Sequence, residues 1–376
     1  MKLAGSKKLR LIAGAAAMSF AFAANAQADE RYAAMVMDAR SGEVLLSDHA
    51  DEARFPASLT KMMTLYILFD AIEHGQVSMD TRMTASRHAA AQPPSRLGLQ
   101  CSRRRGCDSI TVEQAIRGIV VQSANDVAMM VAERLGGSED RFVTQMNARA
   151  RQLGMTNTHF VNPNGLPSPQ QHSSAHDLAV LSQALWRDFP QYYHYFQTAG
   201  FSYRNRYSTN HDHLLGQVEG VDGIKTGYTR ASGYNLASSA ERNGRRVIVV
   251  VMGGESASAR DAQVAYLIEG AFEEYARRDL DPNGVSFASL PTNRLDVTLS
   301  PNAAGGGVLA RATPQGSLTG ALANGGLAQG QVVETMNPVH EAFGQPAGQG
   351  DQDDNSTDEP DAPDAASAPA AGHAPR

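Results

Sequence analysis

Ser58 and Lys61 stand three residues apart in Phe55-Pro56-Ala57-Ser58-Leu59-Thr60-Lys61, a spacing that puts both side chains on one face at the start of a helix. A serine hydroxyl is a weak nucleophile and needs a neighbouring base. An amine serves as that base only when neutral, which desolvation and a second cation nearby both favour. The lysine content singles out that second cation. Of the 33 Lys and Arg, five are Lys, and three of those lie in the first eight residues, which leaves Lys61 and Lys225 in an arginine background. Arg stays protonated in proteins whereas Lys is tunable, so a chain that carries its generic positive charge as Arg exposes its specialised positions. Lys225 opens Lys225-Thr226-Gly227 in a β-like stretch, where a cation and a hydroxyl on a strand edge suit a carboxylate and Gly227 lets backbone approach a ligand closely. The N-terminus of the Ser58 helix directs backbone N–H groups to where an oxyanion would form.

A third polar cluster, Ser123-Ala124-Asn125, follows the apolar residues 119–121 and precedes an apolar helix that begins near residue 127. A serine hydroxyl can pass protons, and an Asn amide can hold a backbone carbonyl and a lysine head together. The same residue types are favoured helix N-caps, so capping is the other reading of this cluster. For the Ser58 pair the alternative is a solvated helix face, and for Lys225 a simple turn. The surroundings of Ser58 oppose the first alternative: residues 59–74 include Met62, Met63, Leu65, Tyr66, Ile67, Leu68, Phe69 and Ile72, apolar on every face, with Gly75 at the natural stop.

The elements that must position these motifs read as a mixed α/β chain. Residues 33–37 and 44–46 flank Ser41-Gly42 as an opening hairpin. Residues 112–197 are mostly helical, broken at 162–165 and 167–169. Residues 234–237 and 247–252 are β-prone and joined through Arg242-Asn243-Gly244, a strong hairpin signal. Residues 259–275 form a closing amphipathic helix.

Lys2, Lys7, Lys8 and Arg10 precede an apolar run, residues 11–24, and the small residues Ala24-Asn25-Ala26, the pattern of a secretory signal peptide over residues 1–26. The run is too short to span a membrane and no later stretch is long enough, so no transmembrane anchor is expected. Loss of those four cations takes the formal charge from −6 to −10, which opposes a nucleic-acid partner. In an exported chain the two cysteines, Cys101 and Cys107, are expected to form a disulfide; neither has the His or further Cys that a zinc site needs, and no metal or cofactor is implied. Cys101 and Cys107 enclose Arg103, Arg104 and Arg105 just ahead of the Ser123 cluster. Past Arg278 the composition shifts to Gly, Ala, Pro, Asn and Gln, so residues 278–344 are expected to be a poorly structured extension. Residues 345–376 form an acidic tail expected to be disordered, with seven acidic residues between Asp351 and Asp364.

In this order Ser-x-x-Lys, Ser-x-Asn and Lys-Thr-Gly resemble the motif set of penicillin-binding proteins and class A β-lactamases, with Ala124 in place of the middle Asp. At finer grain the chain resembles the low-molecular-mass penicillin-binding proteins that are D-alanyl-D-alanine carboxypeptidases. The stretches that carry the likeness are residues 55–62, Ser123-Ala124-Asn125-Asp126-Val127-Ala128, Asn164-Gly165-Leu166 and residues 221–229, and it covers residues 32–276. The resemblance implies a catalytic domain over residues 29–277 of β-lactamase/DD-peptidase type: an antiparallel sheet flanked by helices, with a helical lobe and a cleft between them. By that likeness Ser58 attacks the carbonyl between two terminal D-alanines, Lys61 takes its proton, and Ser123 with Asn125 relays protons and positions substrate. The N–H groups of Ser58 and Tyr228 form the oxyanion hole, and Lys225, Thr226 and Arg260 receive the terminal carboxylate. Peptidoglycan stem peptides are then the substrate and β-lactams covalent inhibitors.

Many members add a β-rich second domain and a membrane-lying amphipathic helix. Neither is visible here, which points to a freely soluble periplasmic or secreted enzyme. The cysteine loop resembles an insertion. Three other readings stay open: a serine β-lactamase, which needs a deacylation base and has no Glu-x-x-Leu-Asn element between Ser123 and Lys225; a DD-endopeptidase of cross-links; and a non-catalytic wall-binding module that kept the fold.

Overall fold

The computed structural model describes residues 31–280. The expected signal, the acidic tail and all but the first three residues of the extension lie outside the described residues. β1 (Ala33–Asp38) and β2 (Val44–Asp48) form the opening hairpin, and a 3₁₀ turn (Ala57–Thr60) leads into α1 (Lys61–Glu73). β3 (Arg82–Thr84), α2 (Arg87–Ala90), β4 (Cys101–Ser102), β5 (Gly106–Cys107) and β6 (Ser109–Thr111) follow. The helical stretch is α3 (Val112–Gln122), α4 (Asn125–Gly136), α5 (Glu139–Leu153), α6 (Ala175–Asp188) and α7 (Pro190–Tyr193). A small hairpin, β7 (Gly200–Tyr203) and β8 (Arg206–Thr209), precedes β9 (Val221–Thr229), β10 (Gly233–Arg242), β11 (Arg245–Gly254) and α8 (Ala257–Leu280).

The main sheet is antiparallel, in the order β2-β1-β11-β10-β9. Its central strands are buried on both faces. Ala33, Met35 and Met37 of β1 and Ile248, Val250 and Met252 of β11 join the core shared with the helical lobe. The alternate residues Ala34, Val36, Val247, Val249 and Val251 pack with Val264, Leu267 and Ile268 of α8. Double-sided burial is why these strands read as unbroken apolar runs in the sequence. The β10–β11 turn carries Asn243 at φ 50° and Gly244 at φ 73°, the left-handed pair that an Asn-Gly hairpin requires.

α1 lies inside the helical lobe, with Met62, Met63, Leu65, Leu68 and Phe69 all fully buried. It has no polar stripe because it has no solvated face. The closing helix runs past the expected boundary at residue 277 to Leu280: in its last turn Arg278 donates to Glu274 at 2.7 Å and to Glu43 at 2.8 Å, replacing apolar packing with ion pairs. The β3–β6 pair and the β7–β8 hairpin were not foreshadowed in the sequence. No helix among the described residues is long and apolar enough to cross a membrane.

Candidate active site

Ser58 lies in the 3₁₀ turn, and Lys61 is the first residue of α1. Lys61 is completely buried, and its Nζ donates to Ser58 Oγ at 2.9 Å and to the carbonyl of Asn164 at 2.6 Å. One turn on, Thr64 Oγ1 donates to Pro163 O at 2.6 Å, so two successive residues of one α1 face are tied to the 163–164 loop. Gly165, at φ 85°, lies against the nucleophile turn: a Cβ there would fall 2.0 Å from Ala57 O. From the sheet, Asn235 Nδ2 donates to Phe55 O at 3.0 Å and to Pro56 O at 3.3 Å, while its Oδ1 accepts from Gly253 N. The half-buried Ser58 hydroxyl is thus presented by a turn gripped from both the loop and the sheet.

Ser123 ends α3 in the left-handed region, φ 54° and ψ 34°, and Ala124 is the N-cap of α4. The capping reading of this cluster therefore fails for its polar residues: the cap position is held by Ala124, and Asn125 is already helical. Asn125 Nδ2 instead donates to the carbonyls of Pro93 and Pro94, both at 3.0 Å. Asp126 continues the grip, its carboxylate accepting the backbone N–H groups of Leu97, Gly98 and Leu99 at 2.8–2.9 Å. The segment so held begins at Gln92, whose Oε1 accepts from Asn164 Nδ2 at 2.9 Å. Hydrogen bonds therefore lead from Lys61 through Asn164 to Gln92, and the chain from Gln92 into Pro93 and Pro94 carries the connection on to Asn125. Ser123 Oγ is buried and has no hydrogen-bond partner among the described residues.

The third wall is β9, the edge strand. Lys225 is buried and its Nζ donates to Thr226 O at 3.0 Å. Gly227 faces the nucleophile turn: a Cβ would meet Ser58 N at 2.9 Å, Pro56 O at 3.1 Å and Leu59 N at 3.2 Å. In this structure the missing side chain of Gly227 admits the backbone of the nucleophile turn itself. Tyr228 stacks on its cross-strand partner Tyr234 with ring centroids 4.3 Å apart.

Beyond the end of β8 lies a cluster of titratable groups that sequence reasoning missed. Burial, more than the positive charges nearby, pushes His211 down to about 4. Burial raises the Asp212 carboxyl to about 6, and its Oδ2 has no partner among the described residues. Hydrogen bonding to Asp261 raises His213. Arg260 is 3% exposed and its guanidinium is engaged by Asn235 O at 2.9 Å and Asp261 Oδ1 at 2.8 Å. It bears on the site through its charge and through Asn235.

Cys101 and Cys107 are disulfide-bonded across the β4–β5 pair, with Arg103, Arg104 and Arg105 exposed between them. Gln100 N donates to Asp108 Oδ2, which also takes an ion pair from Arg204 at the tip of the β7–β8 hairpin. The loop is thereby continuous with the segment held by Asp126. No group of His, Cys, Asp or Glu suited to a metal occurs among the described residues.

Comparison with known proteins agrees with this geometry. A family model described as D-alanyl-D-alanine carboxypeptidase matches residues 21–256. D-alanyl-D-alanine carboxypeptidase DacD of Salmonella typhimurium is 35% identical over 276 residues, 73% of this chain and 71% of the relative. Among solved structures, penicillin-binding protein 5 of Haemophilus influenzae superposes with a TM-score of 0.61 at 33% identity, covering 64% of this chain and 70% of the other. Penicillin-binding protein D2 of Listeria monocytogenes, in an ampicillin-bound form, does so with a TM-score of 0.57 at 29% identity, covering 63% and 95%.

Proposed function

Because this chain belongs to the D-alanyl-D-alanine carboxypeptidase family of serine hydrolases, we propose that Ser58 is its nucleophile and that the protein removes the terminal D-alanine from peptidoglycan stem peptides outside the cytoplasm. The observation that carries the proposal is the 2.9 Å contact between Ser58 Oγ and the Nζ of a fully buried lysine. Burial disfavours an ammonium relative to an amine. In the neutral form the Lys61 nitrogen accepts the Ser58 hydroxyl proton while still donating to Asn164 O.

As Ser58 Oγ bonds to the carbonyl carbon between the two D-alanines, its proton passes to Lys61. The oxyanion lies between the N–H groups of Ser58 and Tyr228, brought together by the close approach that Gly227 allows. When the C–N bond breaks, the leaving amine takes a proton by way of Ser123 Oγ, whose hydroxyl is buried, unpartnered and so available to donate. Lys225 and Thr226 hold the terminal carboxylate; Arg260 adds positive charge from behind. Asn125 fixes the wall opposite β9. Water then cleaves the ester, the base again being Lys61, and the shortened peptide leaves. A β-lactam acylates the same oxygen as a mimic of the peptide.

Product masses from a digest of purified peptidoglycan test the reading. Loss of one D-alanine from pentapeptide stems, abolished together with penicillin labelling in Ser58→Ala, is the expected result. Cleavage of cross-links alone would identify an endopeptidase, rapid penicillin turnover without peptide cleavage a β-lactamase, and absence of both reactions a non-catalytic wall protein.

A further inference from the structure

Lys61 Nζ donates to the carbonyl of Asn164, and the side chain of Asn164 leads away from the site into a chain of hydrogen bonds whose direction is fixed at both ends. At the inner end the Leu166 N–H can only donate, so Asn164 Oδ1 accepts it at 3.3 Å and Nδ2 faces the other way, toward Gln92. Gln92 Oε1 accepts from that Nδ2 at 2.9 Å, which turns Gln92 Nε2 to His88 Nε2 at 3.3 Å. At the outer end the Glu133 carboxylate lies 3.1 Å from His88 Nδ1 and can only accept. Nδ1 therefore carries the ring proton, and Nε2 of the neutral imidazole is left as an acceptor. Every donor in the chain points outward, from Leu166 to Glu133, and no amide in it can be reversed alone. Gln92 and Asn164 are buried, whereas the His88 side chain at the head of α2 is 55% exposed. The chain thus connects the partner of the buried lysine to solvent.

We propose that Gln92 is a positioning residue for Lys61, and that His88 governs it: the neutral imidazole holds the Gln92 amide in the orientation that grips Asn164, and protonation of the ring releases it. The inference rests on the function proposed above. Thr64 fixes the carbonyl of Pro163 and Gln92 fixes the side chain of Asn164, so the carbonyl that receives Lys61 Nζ is set between two grips. A second proton on His88 puts an N–H against the N–H of Gln92 Nε2, and two donors cannot share a bond. Two carboxylates face the ring, Glu133 of α4 at Nδ1 and Glu139 of α5, whose Oε2 is 3.8 Å from Nε2; Asp140 lies beside them. The new N–H turns to Glu139, leaving Gln92 Nε2 with a long 3.5 Å contact to His88 O. Flipping the amide offers no escape, since it would set Gln92 Nε2 against Asn164 Nδ2. Protonation therefore slackens the hold on Asn164, and with it the placement of the base.

The test compares the rate of acylation by a fluorescent penicillin at about pH 5 and about pH 8 in the full chain and in His88→Gln, whose amide oxygen accepts from Gln92 but does not titrate. The rise with pH that comes from Lys61 is common to both proteins and cancels when their two ratios are compared. The unmodified protein is expected to rise more steeply by about threefold or more, the scale of a few tenths of an ångström where about 1 Å costs on the order of a hundredfold. Gln92→Leu should show the shallow ratio of His88→Gln. With a D-Ala-D-Ala peptide it should lower kcat by about tenfold and leave KM within about twofold, because the amide holds Asn164 and not the substrate. An NMR titration of the ring nitrogens reads the same device without catalysis: neutral His88 is expected as the Nδ1–H form, opposite to the Nε2–H form that a free histidine side chain favours in water. Equal pH ratios in the unmodified protein and His88→Gln, or a neutral His88 that carries its proton on Nε2, would overturn the positioning role while leaving the carboxypeptidase standing. If the unmodified protein is acylated at neither pH, the function itself is refuted and the positioning role with it.

Discussion

Gly227→Ala tests whether β9 must touch the nucleophile turn for chemistry to occur. Its φ lies outside the left-handed region, so alanine adds no backbone strain there, only a methyl group 2.9 Å from Ser58 N. Ordinary contact of a Cβ begins near 3.4 Å, so strand and turn must separate by roughly 0.5 Å. A misplacement of about 1 Å in a catalytic constellation costs on the order of a hundredfold, so half of that predicts about a tenfold fall in acylation. Overpacking of this kind costs about 1–3 kcal/mol, and each kcal/mol lowers the Tm of a domain of this size by about 2–4 °C. The assay is the second-order rate of labelling by a fluorescent penicillin, with the Tm read in parallel. Gly244→Ala is the control: this glycine has φ 73° and nothing within 4 Å, so it brings backbone strain at the distant β10–β11 turn without touching the site. If Gly227→Ala labels at the wild-type rate, or Gly244→Ala loses labelling equally at similar destabilisation, close approach is not what assembles the oxyanion site.

Lys61→Arg should abolish acylation as thoroughly as Lys61→Ala because a guanidinium keeps the charge but accepts no proton, whereas Lys225→Arg should retain measurable activity; equal losses would refute the division of labour. Asp126→Ala leaves three backbone donors without their carboxylate and should lower stability by about 3 kcal/mol or more, with Asp126→Asn milder, as denaturant midpoints would report. Asp212 has its folded pKa raised from 3.8 to about 6, so its contribution to stability is fully present below pH 3.8 and lost as pH rises through about 6. Asp212→Asn should therefore stabilise by up to about 3 kcal/mol at pH 8 and by little at pH 4, and equal Tm differences at both pH values would oppose this assignment. Replacing Arg103, Arg104 and Arg105 by Ser should raise the KM for anionic muropeptides, most at low salt, without altering penicillin acylation; unchanged kinetics would make the disulfide loop structural only.

The geometry of the candidate site was legible where it was local. Ser58 and Lys61 are one helical turn apart, and the surrounding apolar residues announce the burial that the pair needs. The Asn243-Gly244 hairpin and the doubly buried strands were legible for the same reason, since turn chemistry and apolar runs are written in contiguous residues. Asn164 was marked only by its place in a stretch that carries the resemblance, and Gln92 and Asn235 not at all, because each acts through a partner 70 or more positions away and a lone amide side chain has no periodicity to betray it. The three-residue strands β3 and β6 are too short to show alternation. Gly227 was recognised as a point of close approach, but only the fold reveals that the approaching backbone is that of Ser58. Arg260 was placed correctly near the start of the last helix, yet its engagement by Asp261 and Asn235 could not be read from its position.

Ser123 has a consequence for evolution and engineering. A residue with a Cβ in the left-handed region is strained by about 1–2 kcal/mol relative to glycine, and a buried hydroxyl without a partner adds about 1–3 kcal/mol. Glycine would relieve both, giving back only about 0.4–1 kcal/mol through the looser unfolded chain. A search for thermostable variants that screened on melting alone would therefore be drawn to this position, and would return a sturdier protein without the hydroxyl proposed above as its proton relay. On that proposal the junction of α3 and α4 is where durability and turnover oppose each other, concentrated in a single oxygen atom.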